Sequence, residues 1–201
     1  IPIHSLNPRL EPYSLDPGVS TLDQASGTLP EGAYTTFRTY PNRMALQLED
    51  HFKRLEYSTR LAGYSLKLDR SSLRNCIRTA LDAFPASIAR VRIVVPFSPD
   101  LERLYIFVGA LSVPDDYDRR NGVRATTRQF QRSTPGAKLT GFIQATKQIR
   151  EHLPSGIEEI IMLDDQHRFL EGLTSNFYAV IKGEIWTAGE GVLSGITRQI
   201  V

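Results

Sequence analysis

Apolar and polar positions follow two periods that change along the chain. Between Gly32 and Tyr40 aromatic and β-branched residues dominate, and an extended segment there puts Tyr34, Thr36, Arg38 and Tyr40 on one face, two aromatic rings flanking a cation. From about Gln47 to Tyr64 the period lengthens. Leu48, Phe52, Leu55 and Ala62 recur at helical spacing, and His51, Arg54 and Ser58, at i, i+3 and i+7, take the opposite side. Asp69 is placed to cap a second helix with an apolar stripe of Leu73, Cys76, Ile77, Ala80, Leu81 and Phe84. Strands are predicted over 88–96 and 101–111, and the link Phe97, Ser98, Pro99, Asp100 reads as a hairpin turn.

Residues 1–30 show no sustained period and are expected to be an irregular lead-in. The polar run from Pro114 to Gly122 is the best boundary candidate. Beyond it the pattern predicts a strand over 123–128, a loop through Pro135 and Gly136, and a helix from about Ala137 to Leu153. Strands at 159–163 and 169–170 flank the turn Asp164 to His167, strands at 176–181 and 184–187 flank Lys182 and Gly183, and a last helix starts within 193–201. The expected organisation is a mixed α/β (α+β) chain: a smaller N-terminal α/β domain over 1–113, a linker over 114–122 and a larger domain over 123–201.

Composition then removes function classes. With 201 residues, 41% hydrophobic and 23% charged, the chain is neither collagenous, disordered nor a disulfide scaffold. The single cysteine, Cys76, sits in an apolar stripe and is read as a core residue. No apolar run approaches the roughly 18 residues of a membrane span, and the first residues carry no signal-peptide pattern, so a cytoplasmic protein without membrane contact is expected. The four histidines lack metal-ligand spacing, and P-loop, nucleophile-elbow and dinucleotide fingerprints are missing. Arg120, Arg124, Arg128 and Arg132 recur every four residues, but in a strand they share one solvated or ligand-facing side, and a net charge of +2 gives little polyanion affinity, so no nucleic-acid partner is expected.

Lysines are scarce, five against 19 arginines, so chemistry that needs an amine has few places to reside. A lysine able to form a Schiff base, a carboxylate for a protonated pyridine nitrogen and a helix start for a phosphate occur in that order: Lys138, Glu171, and Gly195-Ile196-Thr197. Lys138, then Glu171-Gly172 and Thr174-Ser175-Asn176-Phe177, with Glu171 33 residues downstream of the lysine, then Leu193-Ser194-Gly195-Ile196-Thr197-Arg198, resemble the class IV aminotransferases. Gly32 to Arg38 and His51-Phe52-Lys53-Arg54-Leu55 are similar to that family's first strand and first helix, so the resemblance covers about residues 30–201.

The resemblance implies the two-domain architecture of fold-type IV pyridoxal-phosphate enzymes, with the cofactor cleft between the domains, and a homodimer. It implies pyridoxal 5'-phosphate as cofactor, amino acid and 2-oxo acid as substrates, and transamination as the reaction. The alternatives are 4-amino-4-deoxychorismate lyase and a non-catalytic, partner-binding relative. By resemblance Lys138 is the Schiff-base lysine and proton shuttle, Glu171 pairs with the pyridine nitrogen, Arg54, Ile196 and Thr197 take the phosphate, and Leu193 packs on the ring. Tyr34 lies on the substrate side, with Arg38 and Arg92 as candidate carboxylate partners. The family continues past the turn at 195–198, so the chain is expected to be the N-terminal and central part of such an enzyme.

Overall fold

The computed structural model describes residues 3–98 and 101–201. The N-terminal stretch, expected to be irregular, contains strand β1 (Ile3–Leu6) and helix α1 (Leu22–Gly27). A capping box starts α1: the Thr21 hydroxyl accepts from the Gln24 amide at 3.1 Å and the Gln24 side chain returns to the Thr21 amide. The chain continues through β2 (Gly32–Tyr40), β3 (Met44–Ala45), α2 (Leu48–Leu61), β4 (Ser65–Leu68), α3 (Arg70–Asp82), β5 (Arg90–Pro96) and β6 (Tyr105–Gly109). The Asp69 carboxylate caps α3 by accepting from the Ser72 amide at 2.7 Å. β5 and β6 pair antiparallel; Pro99 and Asp100, in the link predicted to turn between them, lie outside the described residues.

β2 is central to an antiparallel sheet ordered β3-β2-β5-β6, and β1 pairs parallel with β4. Alternation gives the large sheet two apolar faces. Ala33 and Phe37 of β2 join Val91, Ile93 and Val95 against Phe52 and Leu55 of α2 and Leu73 and Ile77 of α3, whereas Tyr34, Val94 and Phe107 pack with Ala25 and Ile143. Cys76 is buried on α3, as its place in the stripe predicts.

The segment 114–122, expected as a linker, contains helix α4 (Asp116–Asn121), begun by the Asp115 carboxylate accepting from the Asp118 amide at 2.8 Å. There follow β7 (Ala125–Gln129), α5 (Thr140–Glu151), β8 (Glu159–Leu163), β9 (Phe169–Gly172), β10 (Ala179–Ile181), β11 (Glu184–Trp186) and α6 (Ile196–Ile200). β8 pairs parallel with β7 and antiparallel with β9. β10 and β11 form a hairpin whose turn residues Lys182 and Gly183 have φ of 53° and 84°, the left-handed pair a tight two-residue turn needs.

The chain divides into two compact units. One runs to Ser112 and takes in Ala137–Ile143; the other comprises Val113–Gly136 and Gln144–Val201. Lys138 thus packs with the first unit, although the sequence pattern assigns it to a domain beginning at 123. The reason is an open sheet edge. Leu139 bridges to Ala33, the Gly32 amide donates to Thr140 Oγ1 at 2.9 Å, and the Tyr34 amide donates to the Lys138 carbonyl at 2.9 Å. These bonds satisfy backbone groups that β3, pairing only with the far end of β2, leaves uncovered.

Candidate active site

In the first unit the polar side of α2 is not a solvated face. His51 and Ser58 are buried, and Ser58 is fully so. The Ser58 Oγ accepts from the Lys138 amide at 3.0 Å, so the peptide of Lys138 is pinned on one side by α2 and on the other by β2. The Lys138 Nζ lies 4.7 Å from the centre of the Tyr34 ring, a cation–π contact. One turn before Ser58, Arg54 donates from Nη2 to Thr35 Oγ1 at 2.9 Å, and Thr35 Oγ1 is 2.9 Å from His51 Nδ1. The structure therefore gathers Tyr34, Arg54 and Lys138, and adds Thr35, His51 and Ser58 to them.

In the second unit Glu171, at the end of β9, is only 3% exposed. Its Oε1 accepts from Arg132 Nε at 2.7 Å and from the Leu193 amide at 3.1 Å, and its Oε2 accepts from Asn176 Nδ2 at 3.2 Å. Asn176 Nδ2 also donates to the Leu193 carbonyl at 3.2 Å, so the carboxylate, the Asn176 amide and the Leu193 peptide form one cluster. Gly195 is required beside it, because a Cβ there would run into Asn176 Oδ1. Leu193 and Ile196 are buried and Thr197 is exposed at the start of α6. Glu159 supports the neighbouring loop: its Oε2 accepts from the Thr174 and Ser175 hydroxyls at 2.8 and 2.9 Å.

Two expectations need correction. Arg92, a candidate for a substrate carboxylate, instead joins the sheet to α1: Nη1 donates to Asp23 Oδ1 at 2.7 Å, to Ser26 Oγ and to the Leu22 carbonyl, and the guanidinium covers the Tyr34 ring. The four-residue arginine repeat does not share one face. Arg120 lies on α4, Arg124 and Arg128 are exposed at β7, and Arg132 turns inward to Glu171. Arg38 is half-buried against the Tyr40 ring, and among the described residues nothing accepts a hydrogen bond from its buried Nε. Lys147, the other lysine of this region, lies in the solvent on α5 near Glu151.

The model of the amino-transferase class IV family matches residues 32–201. The chain belongs to that family. Among solved structures, a Thermotoga maritima protein provisionally described as a branched-chain amino acid aminotransferase shares 26% identity at a TM-score of 0.71, covering 96% of this chain and 67% of its own. A structure provisionally described as a 4-amino-4-deoxychorismate lyase shares 23% identity at 0.71, covering 96% and 76%. A pyridoxal-phosphate-bound hypothetical aminotransferase from Mycobacterium tuberculosis shares 19% at 0.71, covering 92% and 72%. The last two likenesses establish the fold. No curated protein matches the chain. Among the described residues no helix is long and apolar enough to cross a membrane.

Within this class IV aminotransferase, the surroundings of His51 alter its titration strongly. Burial, then the positive charges of Arg54 and Lys138, bring its pKa from 6.5 down to about 3, with Asp50 acting weakly the other way. The unfolded chain then binds a proton near pH 6.5 that the folded chain refuses until about pH 3. Stability is therefore unaffected above pH 6.5 and falls on acidification below it, by up to about 1.4 kcal/mol per pH unit. Asp69 and Asp164, whose carboxyls the Ser72 and Arg168 amides hold below 3.8, act in the same direction only at lower pH. Urea denaturation between pH 7 and pH 4.5 should show this slope in the natural chain and lose it in His51→Asn; an equal slope in both would remove His51 as its source.

Proposed function

We propose that the protein uses pyridoxal 5'-phosphate to move an amino group between an amino acid and a 2-oxo acid. The observation that carries this reading is the way Lys138 is held. Its main chain is fixed on both sides by the Ser58 hydroxyl and the Tyr34 amide, so the flexible part is the amine, which reaches over the Tyr34 ring. When bound, the cofactor supplies an electron-poor ring that accepts the charge left as a proton leaves the substrate α-carbon.

The donor set fits such a group. A carboxylate has about four acceptor positions. Glu171 uses two on Oε1 and one on Oε2 among the described residues, so a further position on Oε2 suits the N–H of a protonated ring nitrogen. In this reading Lys138 Nζ would hold the cofactor and then carry the proton at the substrate α-carbon. Arg54 of the first unit and, from the second, the Ile196 and Thr197 amides and the Thr197 hydroxyl would take the phosphate, and Leu193 would pack on the ring. Tyr34 borders the amine. Arg38, with its unmatched Nε, is the better recipient of a substrate carboxylate than Arg92, which is committed to Asp23. A cytoplasmic homodimer is part of the same proposal.

The test is spectroscopic and chemical. The purified protein should take up pyridoxal phosphate with a visible band, lose that band on borohydride reduction with the label on Lys138, and transfer an amino group to 2-oxoglutarate. Release of pyruvate from 4-amino-4-deoxychorismate without transfer would assign the lyase reaction instead. Failure to take up the cofactor would remove both.

A further inference from the structure

Glu159 gathers donors from the loop that separates Glu171 from Asn176. β8 and β9 run antiparallel with Ile161 opposite Gly172, so the start of β8 lies beside the chain just past the end of β9. There Glu159 Oε1 accepts from the Ile160 and Leu173 amides at 3.0 and 3.2 Å. Its Oε2 accepts from the Thr174 and Ser175 hydroxyls at 2.8 and 2.9 Å and from the Thr174 amide at 3.3 Å. The Leu173 amide is shared with the Ile160 carbonyl at 3.1 Å. A carboxylate offers about four acceptor positions, so these donors fill it, and all but the Ile160 amide belong to Leu173, Thr174 and Ser175.

Packing does not fix this loop by itself. Leu173 is buried, but Thr174 and Ser175 are exposed. The chain nevertheless closes on itself, because Asn176 Nδ2 returns to Glu171 Oε2 and to the Leu193 carbonyl, both at 3.2 Å. Those two bonds lie at the long end of the usual range, whereas the hydroxyls meet Glu159 at distances well inside theirs. Bonds to a carboxylate are also the stronger kind, so the tighter hold on residues 173–175 is that of Glu159. Gly172 permits it: a Cβ there would run into Ser175 Oγ and Glu159 Oε2.

We propose that Glu159 is a positioning residue: by fixing residues 173–175 it places the Asn176 amide, and through that amide it sets the direction in which Glu171 Oε2 is offered. This rests on the function proposed above, in which a further position on Oε2 takes the N–H of the ring nitrogen. It goes further in making the direction of that bond depend on a second carboxylate, one not assigned to hold the cofactor. Glutamine at position 159 would keep the length of the side chain and one acceptor oxygen, and its amide could donate to the two hydroxyls once they turn. Alanine would keep none of these bonds.

The experiment titrates cofactor-free protein with pyridoxal phosphate and, separately, with the analogue whose ring nitrogen is replaced by C–H, for the natural chain, Glu159→Ala and Glu159→Gln. The natural chain should prefer pyridoxal phosphate by about tenfold or more, since only that ligand has an N–H for Glu171. Glu159→Ala should lose most of the preference, binding pyridoxal phosphate about tenfold more weakly and the analogue within about twofold of the natural chain, and Glu159→Gln should recover most of the loss. Equal weakening of both ligands, or an unchanged preference in Glu159→Ala, would overturn the positioning role while leaving cofactor use in place, and so would a natural chain without the preference. A natural chain that binds neither ligand would overturn the proposed function as well. Should Glu159→Ala not fold, Thr174→Val combined with Ser175→Ala, both at exposed positions, removes the two hydroxyl donors. In that cofactor-free variant the Leu193 amide, which donates to Glu171 Oε1 and not to Glu159, should exchange with solvent about tenfold faster than in the natural chain; unchanged exchange would refute the route through Asn176.

Discussion

Lys138→Ala is expected to fold as the natural chain does and to lose the chemistry. The fold should persist because Lys138 contributes to packing through its peptide: its N–H donates to Ser58 Oγ and its carbonyl accepts from the Tyr34 amide, and alanine keeps both bonds. What is lost is the amine over the Tyr34 ring. Borohydride should then fix no pyridoxal phosphate to the protein, and amino-group transfer should fall by roughly a hundred- to ten-thousandfold from the missing acid–base group alone. Lys147→Ala, which removes an exposed amine facing Glu151, is the control and should behave as the natural chain in both assays. A label that survives Lys138→Ala and moves with Lys147 would reassign the site. A melting temperature lowered as far as a core substitution lowers it would show that the side chain, and not the peptide, holds this segment.

Much of the candidate site was legible because the proposed chemistry calls for scarce residues in a set order. Five lysines leave few candidates, and only Lys138 stands 33 residues before a glutamate that opens the Glu171-Gly172 motif. Helical period also put His51, Arg54 and Ser58 on one face. It did not show that this face is covered, because the cover comes from Lys138, 80 residues beyond Ser58, and periodicity carries no information about contacts so distant. Arg132 was hidden for a related reason. Its spacing from Arg120, Arg124 and Arg128 suggested a repeat, but the strand ends at Gln129, and past its end alternation no longer determines which way a side chain turns. Strand β1 is four residues long and pairs with β4 some sixty residues later, so it carries too little pattern to be read locally, whereas the Thr21–Gln24 capping box of α1 was a local signal that could have been recognised.

Arg132→Met is expected to have the largest effect on stability. The Arg132 and Glu171 side chains are 6% and 3% exposed and meet at 2.7 Å, so removing the guanidinium leaves a carboxylate out of water with, among the described residues, the Asn176 side chain and the Leu193 amide to solvate it. An uncompensated buried charge of this kind costs about 3–5 kcal/mol, which in a chain of this size corresponds to a melting temperature lower by roughly 10 °C. The pair itself need not be stabilising, since both charges were desolvated to make it. Arg132→Met combined with Glu171→Gln should therefore recover most of the loss: the glutamine oxygen still accepts from the Leu193 amide, and no charge is left unmatched. A double-mutant cycle measures this directly, and purely additive effects would mean that the two residues are not coupled in solution. The cycle also separates stability from function. The double variant should melt close to the natural chain yet bind pyridoxal phosphate without the ring-nitrogen partner proposed for it, so restored stability should come with amino-group transfer that remains impaired. Recovery of transfer along with stability would show that the carboxylate of Glu171 serves only the fold.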